Sequence, residues 1–433
     1  MKNNFQTIIL AVFLAFFVFA VLVFSGLLPI GNDTNSTTKL KGTISMWGTV
    51  PSIEFSKAIE GINASNPDLT VKYLQKNQAT YVQDIVEAIA SGTAPDLFML
   101  PDDLIVESQK FVTQIPYTSF SEKAFRDTFI DGAEVYLGDK GIIALPFSVD
   151  PLVLYYNQNL LTNNSIAQPP VYWDDLLELN DTLTIGSSDG TIDQSMVALG
   201  TYDNIRHAKD ILALLMLQSG NPIVIRQDEK LVSVLSEKFQ QSRPPAESVM
   251  SFYTEFANPN STVYSWNRGL PDSRNAFTSG TLAFYIGKGS ELFDIQSVNP
   301  NLSFDVSTVL QTKGTNIRRT SASMNAIAIS KSAKDPALAM STAMLFANPE
   351  VAEIIATTLS LPPARRDMLA KRPTDRYLTV FYDSAISGRT WLDPDTTQTN
   401  KIFSDMVGNI LSNKFDVGGA VSRAEQELGI LLY

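Results

Sequence analysis

The sequence predicts an α/β protein built as two lobes with a hinge and a central cleft, preceded by one N-terminal transmembrane helix. Three observations carry this. An uncharged apolar run opens the chain, strands alternate with helices directly after it, and the body that follows is too long for one hydrophobic core. The whole chain has 433 residues.

The apolar run extends from Thr7 to Leu28. At about 1.5 Å per residue it would span roughly 33 Å as a helix, enough to cross a bilayer. A cleaved signal has a shorter apolar core and a small-residue cleavage site, whereas the stretch after Ala20, VLVFSGLLPIG, is bulky throughout. Residues 1–31 are therefore read as a transmembrane anchor or signal segment, with retention favoured. Lys2 and the amino terminus lie ahead of it, which places the body outside, in a single-pass arrangement at the cell membrane facing the periplasm or exterior. Residues 32–41 contain NDTNSTT and read as a flexible tether.

In the body, TISMWG (Thr43 to Gly48) reads as a strand, Phe55, Ile59 and Ile62 recur at helical spacing, and LTVKYLQ supplies a second strand. Tyr81, Ile85, Ala88 and Ile89 mark a helix that Gly92 ends, and PDLFML gives a third strand with Asp102 just beyond it. This alternation predicts a largely parallel sheet covered by helices. Ligands of open α/β sheets collect beyond the carboxyl ends of strands, where Trp47 and Asp102 fall. GIIALPFSVDPLVLYYNQNLL, from Gly141 to Leu161, reads as two strands joined through Ser148, Val149 and Asp150, with Pro146 and Pro151 limiting the bend at a hinge. Helical spacing dominates later, as in Ile211, Leu214, Leu215 and Leu217, and in Ile402, Met406, Val407, Ile410 and Leu411.

Composition removes several functions. A formal net charge of −12 repels polyanions, so nucleic acid is not an expected partner. The absence of cysteine excludes disulfides, thiolate catalysis and thiolate metal sites. His207 is the only histidine, so zinc sites built on several imidazoles are excluded too. No cofactor and no metal are expected, and only carboxylates remain for catalysis.

Ordered landmarks along the body resemble the family 1 extracellular solute-binding proteins of ABC-type sugar importers, the group that includes maltose-binding proteins. They are APDLFML, the Gly141–Leu161 stretch, PPVYWDDLLE, AFTSGTLAFYIGKGSEL, NPNLSFDVSTVLQ, AIAISKSAKDPALAMSTAMLFANPEVA and LPPARRDML. The resemblance implies a type II periplasmic-binding-protein fold in which each lobe is discontinuous in sequence. The N-terminal lobe is then expected over 42–151 and 325–359, and the C-terminal lobe over 152–324 and 360–433, with crossings near Pro151, Met324 and Leu359. Two departures stand out. The family's lipid-modified cysteine is missing, and SASMN precedes AIAIS where many relatives carry Gly-Gly-Trp or a similar aromatic.

Sugars present apolar C–H faces and hydroxyl edges, so their sites combine aromatic platforms with carboxylates, amides and arginines. On that chemistry the candidate ligand-binding residues are Trp47, Asp102, Asp150, Trp266, Tyr285, Gly287, Arg365 and Trp391. Asp102 and Asp103 both follow a strand end, one suited to cap a helix and the other to face the crevice. Gly287 and Gly289 allow close backbone approach to a ligand. Trp173 reads as a packing residue and His207 as a surface residue. The expected function is capture of a sugar or oligosaccharide by hinge closure, with delivery to the permease subunits of an importer, by a monomer that breaks no bond. A membrane-anchored ligand sensor on the same fold is one alternative. An anchored glycoside hydrolase using Asp102 and Asp150 is another.

Overall fold

Strand and helix alternate from the first described residues, as the apolar periodicities require. β1 (Gly42–Gly48) leads into α1 (Ser52–Ser65), β2 (Leu69–Gln75), α2 (Tyr81–Ser91) and β3 (Leu97–Pro101). α1 buries Phe55, Ala58, Ile59 and Ile62, and α2 ends where Gly92 takes a left-handed φ of 71° that favours glycine. This computed structural model describes residues 40–187, 191–228, 230–315 and 317–432. The expected anchor at 1–31, and the tether up to residue 39, lie outside the described residues. No helix among the described residues is long and apolar enough to cross a membrane.

The Gly141–Leu161 stretch departs from its reading as two joined strands. Ala144–Asn157 forms one continuous strand, β4, and the separate pair Gly141–Ile142 bonds Ile115–Pro116. Proline suits extended backbone and forfeits only its own N–H bond, so Pro146 and Pro151 sit inside β4 without breaking it. Further on come β5 (Ile192–Val197), α3 (Ala208–Gln218), α4 (Pro245–Glu255), β6 (Leu282–Lys288), β7 (Phe304–Thr308) and β8 (Thr320–Ser330). α5 (Pro336–Phe346), α6 (Pro349–Leu359), α7 (Arg376–Ile386), α8 (Thr396–Leu411) and α9 (Val417–Leu431) complete the chain.

The main sheet runs β2-β1-β3-β8-β4-β6-β5. β1 is parallel to β2 and β3, and β6 is parallel to β5, but β8 and β4 run antiparallel to their neighbours. The sheet is mixed rather than largely parallel because these two long strands return through its middle. Each changes partner along its length. Ala144–Pro151 of β4 faces β8, whereas Leu152–Asn157 is bonded to β6 and β7. β8 bonds β3 through Asn325–Ile329, while Thr320 and Ser321 pair with Gly388 and Arg389.

Two cores follow from that exchange. On the β1–β3 side, Phe55 meets Tyr73, Phe147 and Phe346 at ring separations of 5.0, 5.9 and 5.9 Å. On the other, a cluster beginning at Leu152 gathers β4, β5 and β6 with α3, α4, α8 and α9. Leu361–Arg366, expected to open the second lobe, instead bonds the first: Val149 donates to Pro362 O, Ala364 donates to Phe147 O, and Ile130 donates to Ala364 O. α7 then packs on β4 and β7.

Candidate functional site

β3 ends where the sheet changes partner, and the residues after it form one wall of a cavity of about 130 Å³. Asp102 and Asp103 come from that strand end, Lys209 and Asp210 from the start of α3, Lys288 from the end of β6, and Ser321, Ala322 and Ser323 from β8. Thr390, Trp391, Asp393 and Thr396 close the base. Lys209, Asp210 and Thr396 also border an open groove of about 600 Å³ that continues past Tyr202, His207 and Asn400. The strand ends and the α3 N-terminus converge here, as the topology of open α/β sheets dictates.

Asp102 is 5% exposed, and both its oxygens are taken: Oδ1 accepts from the Met324 N–H at 2.7 Å, and Oδ2 from the Thr390 hydroxyl. Burial, reinforced by neighbouring Asp103, pushes its carboxyl up to about 7. Asp103 is exposed on the cavity, and the surrounding walls raise its carboxyl through lost hydration. Lys209 Nζ bonds Asp393 at 2.7 Å and the Thr396 and Thr399 hydroxyls at 2.9 and 3.2 Å. Asp393 is still raised, because burial outweighs that lysine.

Lys288 ends the apolar β6 run and reaches Ser323 Oγ at 2.7 Å and Asp210 at 3.4 Å. Burial alone would lower the Lys288 ammonium, but Asp210, Asp150, Asp102 and Asp103 together hold it above its ordinary value. Asp210 is held well below the usual carboxylate range, Lys288 and His207 overcoming the opposing effect of burial. His207 caps α3 with a φ of 61° and bridges Glu291, at 3.0 Å, to Asp210, at 3.6 Å. Burial would lower its imidazole, yet the two carboxylates raise it. His207 is thus a part-buried imidazole held between two carboxylates at the groove rather than a plain surface residue.

Of the residues chosen from sequence, Asp102 and Trp391 line the cavity. Trp391 is 7% exposed and packs with its ring tilted against Phe403 at a separation of 6.0 Å. Asp150 is nearby, but both its oxygens bind Ser290, from its N–H at 3.0 Å and its hydroxyl at 2.6 Å. With Asp102 and Asp150 each engaged at both oxygens, the acid–base pairing of the hydrolase alternative is not assembled. Of the adjacent aspartates, neither side chain caps a helix: Asp102, the one chosen for ligand contact, is bound internally, while Asp103 faces the crevice.

The others lie elsewhere. Trp266 is 0% exposed, inside the core of the second lobe, because its segment folds under α4, where Trp266 N–H and Ser265 N–H both donate to Phe256 O. Tyr285 is buried, stacked at 5.9 Å on Tyr155 and donating to Glu291 Oε2 at 2.8 Å. Gly287 is needed for that packing and not for ligand approach: a Cβ there would come within 2.4 Å of Tyr285 and 2.6 Å of Glu291. Arg365 is committed to Asp367 and to Ala347 O, away from the cavity. Trp47 sits at its strand end half-buried, with the Lys76 ammonium 4.1 Å over the ring, outside the cavity lining.

Lys209, Asp210, Lys288 and Asp393 were missed by sequence reasoning. One signal was available, a lysine closing an apolar strand between two glycines in IGKG, since a charge embedded in such a run needs partners. Lys209 and Asp210, at the head of an otherwise apolar helix, carried no comparable mark.

A mixed sheet whose two long strands pass between separate cores, with a polar cavity where they change partners, defines a two-lobed α/β binding protein. The bacterial extracellular solute-binding protein model matches residues 57–379, and the chain belongs to that family. It is a family of binding proteins and not of enzymes. The cyclic α-maltosyl-1,6-maltose binding protein of Arthrobacter globiformis superposes with a TM-score of 0.73 at 14% identity, over 90% of this chain and 99% of that one. A cyclo/maltodextrin-binding protein complexed with maltotetraose gives 0.72 at 14% identity, over 89% and 96%. At such identity the likeness concerns the fold. The galactooligosaccharide-binding protein of Bacillus subtilis (strain 168) is 24% identical over 149 residues, 34% of this chain and 32% of its own. The chain spans about a third of the length of the curated relatives it matches.

Proposed function

We propose that this chain is the extracytoplasmic solute-binding component of an ABC-type importer, taking up a sugar or oligosaccharide by closure of two lobes and handing it to the permease subunits. The observation that carries this is the polar cavity at the point where β4 and β8 change partners. Hydroxyl, ammonium and carboxylate groups from both sides converge there on one indole wall, Trp391. Hydroxyl-rich ligands need that mixture of donors, acceptors and an apolar face. Relatives whose names specify maltodextrins and galactooligosaccharides support the same ligand class.

The hinge is placed at Pro151–Leu152 and Ser321–Ala322, where the strand partners change. The third crossing is placed after Leu369 rather than near Leu359, given the bonds that tie Leu361–Arg366 to the first lobe. The ligand-contacting set becomes Asp103, Lys288, Ser321, Ser323 and Trp391, with Asp102 beneath it. Residues 1–31 serve as the retained single-pass anchor, which the length and bulk of the apolar run support.

Thermal-shift screening of the full chain against mono- and oligosaccharides, polyols and peptides tests the reading, because a ligand that binds only the folded state raises the melting point. At least one sugar should raise it in a saturable way with no product formed. Stabilisation by peptides alone would remove the ligand class.

A further inference from the structure

Charged groups around the cavity are not equally free. Asp102 is held by Met324 and Thr390, Asp393 by Lys209 and Thr399, Asp150 by Ser290, and Asp210 lies between Lys288 and His207. Both lysines are likewise engaged, Lys209 with Asp393, Thr396 and Thr399, and Lys288 with Ser323 and Asp210. Asp103 differs. Its carboxylate lines the cavity and has neither a hydrogen bond nor an ion pair among the described residues. A second group is also unsatisfied: Ser321 is 7% exposed, lines the same cavity, and its hydroxyl has no partner among the described residues.

We infer that the cleft takes a sugar bearing a protonated amine, which the Asp103 carboxylate receives while the Ser321 hydroxyl bonds a ligand hydroxyl; this rests on the sugar-binding reading above. Closing a neutral sugar over Asp103 would strip water from a carboxylate that Lys209 and Lys288 influence only from beyond ion-pair distance, and would return hydroxyl hydrogen bonds but no cation. An ammonium supplies a charge-assisted hydrogen bond at that position. Acidic sugars are disfavoured, since the lining carboxylates Asp103, Asp210 and Asp393 outnumber the ammonium groups of Lys209 and Lys288 even with Asp102 left out. The enclosed space, about 130 Å³, lies below the roughly 300–1,000 Å³ of pockets for drug-sized ligands. It therefore suits a single amine-bearing ring, with any further rings directed along the adjoining groove.

The test is calorimetric titration of the full chain in detergent with matched pairs: glucosamine and glucose, galactosamine and galactose, mannosamine and mannose, with N-acetylglucosamine and glucuronate as controls. At a pH where the amine is protonated, one amino sugar should bind about ten- to a hundredfold more tightly than its neutral parent, the scale of one hydrogen bond to a charged group. D103N should erase that gap without lowering the melting point of the ligand-free protein, since its carboxyl is raised by lost hydration, while D103E should restore part of it. Equal affinity within every pair, or a gap that survives in D103N, would overturn the inference. If neutral sugars bind well with no preference for the amine, the inference falls and the sugar-binding function stands. If no sugar of any charge binds, both fall.

Discussion

Asp102→Asn replaces a buried carboxyl with a neutral group of the same shape. The amide oxygen can still accept from the Met324 N–H, and the amide N–H can donate to the Thr390 hydroxyl, so the two contacts persist. What changes is the proton linkage. The native carboxyl is raised from 3.8 to about 7, so its contribution to stability is complete below about pH 4 and is lost as pH rises through 7. A gap of that width corresponds to as much as about 4 kcal/mol. The stability of Asp102→Asn relative to the native chain should therefore climb by up to that amount between pH 4 and pH 8. Urea unfolding followed by circular dichroism at stepped pH measures it. Asp102→Ala loses the same carboxyl and both contacts as well, so it should follow the same pH trend while lying about 2–4 kcal/mol below Asp102→Asn at every pH. A stability difference between Asp102→Asn and the native chain that stays flat with pH, or that moves against the asparagine as pH rises, would refute the reasoning. It would mean that Asp102 is ionised and stabilised by Lys288.

Other substitutions separate packing from recognition. Lys209→Met leaves the 2%-exposed Asp393 without its cation, which should cost about 3–5 kcal/mol in unfolding experiments, and an unchanged melting point would contradict the pairing. Trp266→Phe deletes an indole N–H that has no acceptor among the described residues, so stability should move by less than about 1.5 kcal/mol and sugar affinity not at all. A tenfold loss of affinity would return Trp266 to the binding site. Trp391→Ala removes the apolar wall of the cavity and should weaken sugar binding about tenfold in calorimetry; undiminished affinity would take Trp391 out of the site.

Elements with clear periodicity were legible in the amino-acid sequence. Phe55, Ile59 and Ile62 placed α1, and Gly92 placed the end of α2, because burial of one helical face and the left-handed cap are local requirements. The continuity of β4 was not legible, since Pro146 and Pro151 look like breaks until the partner strand β8 supplies the register around them. The site was harder. Trp391 and the strand end at Asp102, chosen from local context, line the cavity, but aromatic content pointed equally to Trp266 and Tyr285, which fill a core. Whether an indole faces a cleft or a core depends on segments remote in sequence. The same holds for Asp102 and Asp103: adjacency in sequence gives no sign that Met324 and Thr390, more than 200 residues away, claim the first and leave the second free.

Ligand-driven closure can be read as a distance. The chain has no cysteine, so E87C on α2 and E255C on α4, both at exposed positions in different lobes, would be its only thiols and can carry paired spin labels. Addition of a sugar shown by calorimetry to bind should shift the label-to-label distribution to shorter separations. Saturating sugar with the distribution unmoved would contradict capture by closure of the two lobes.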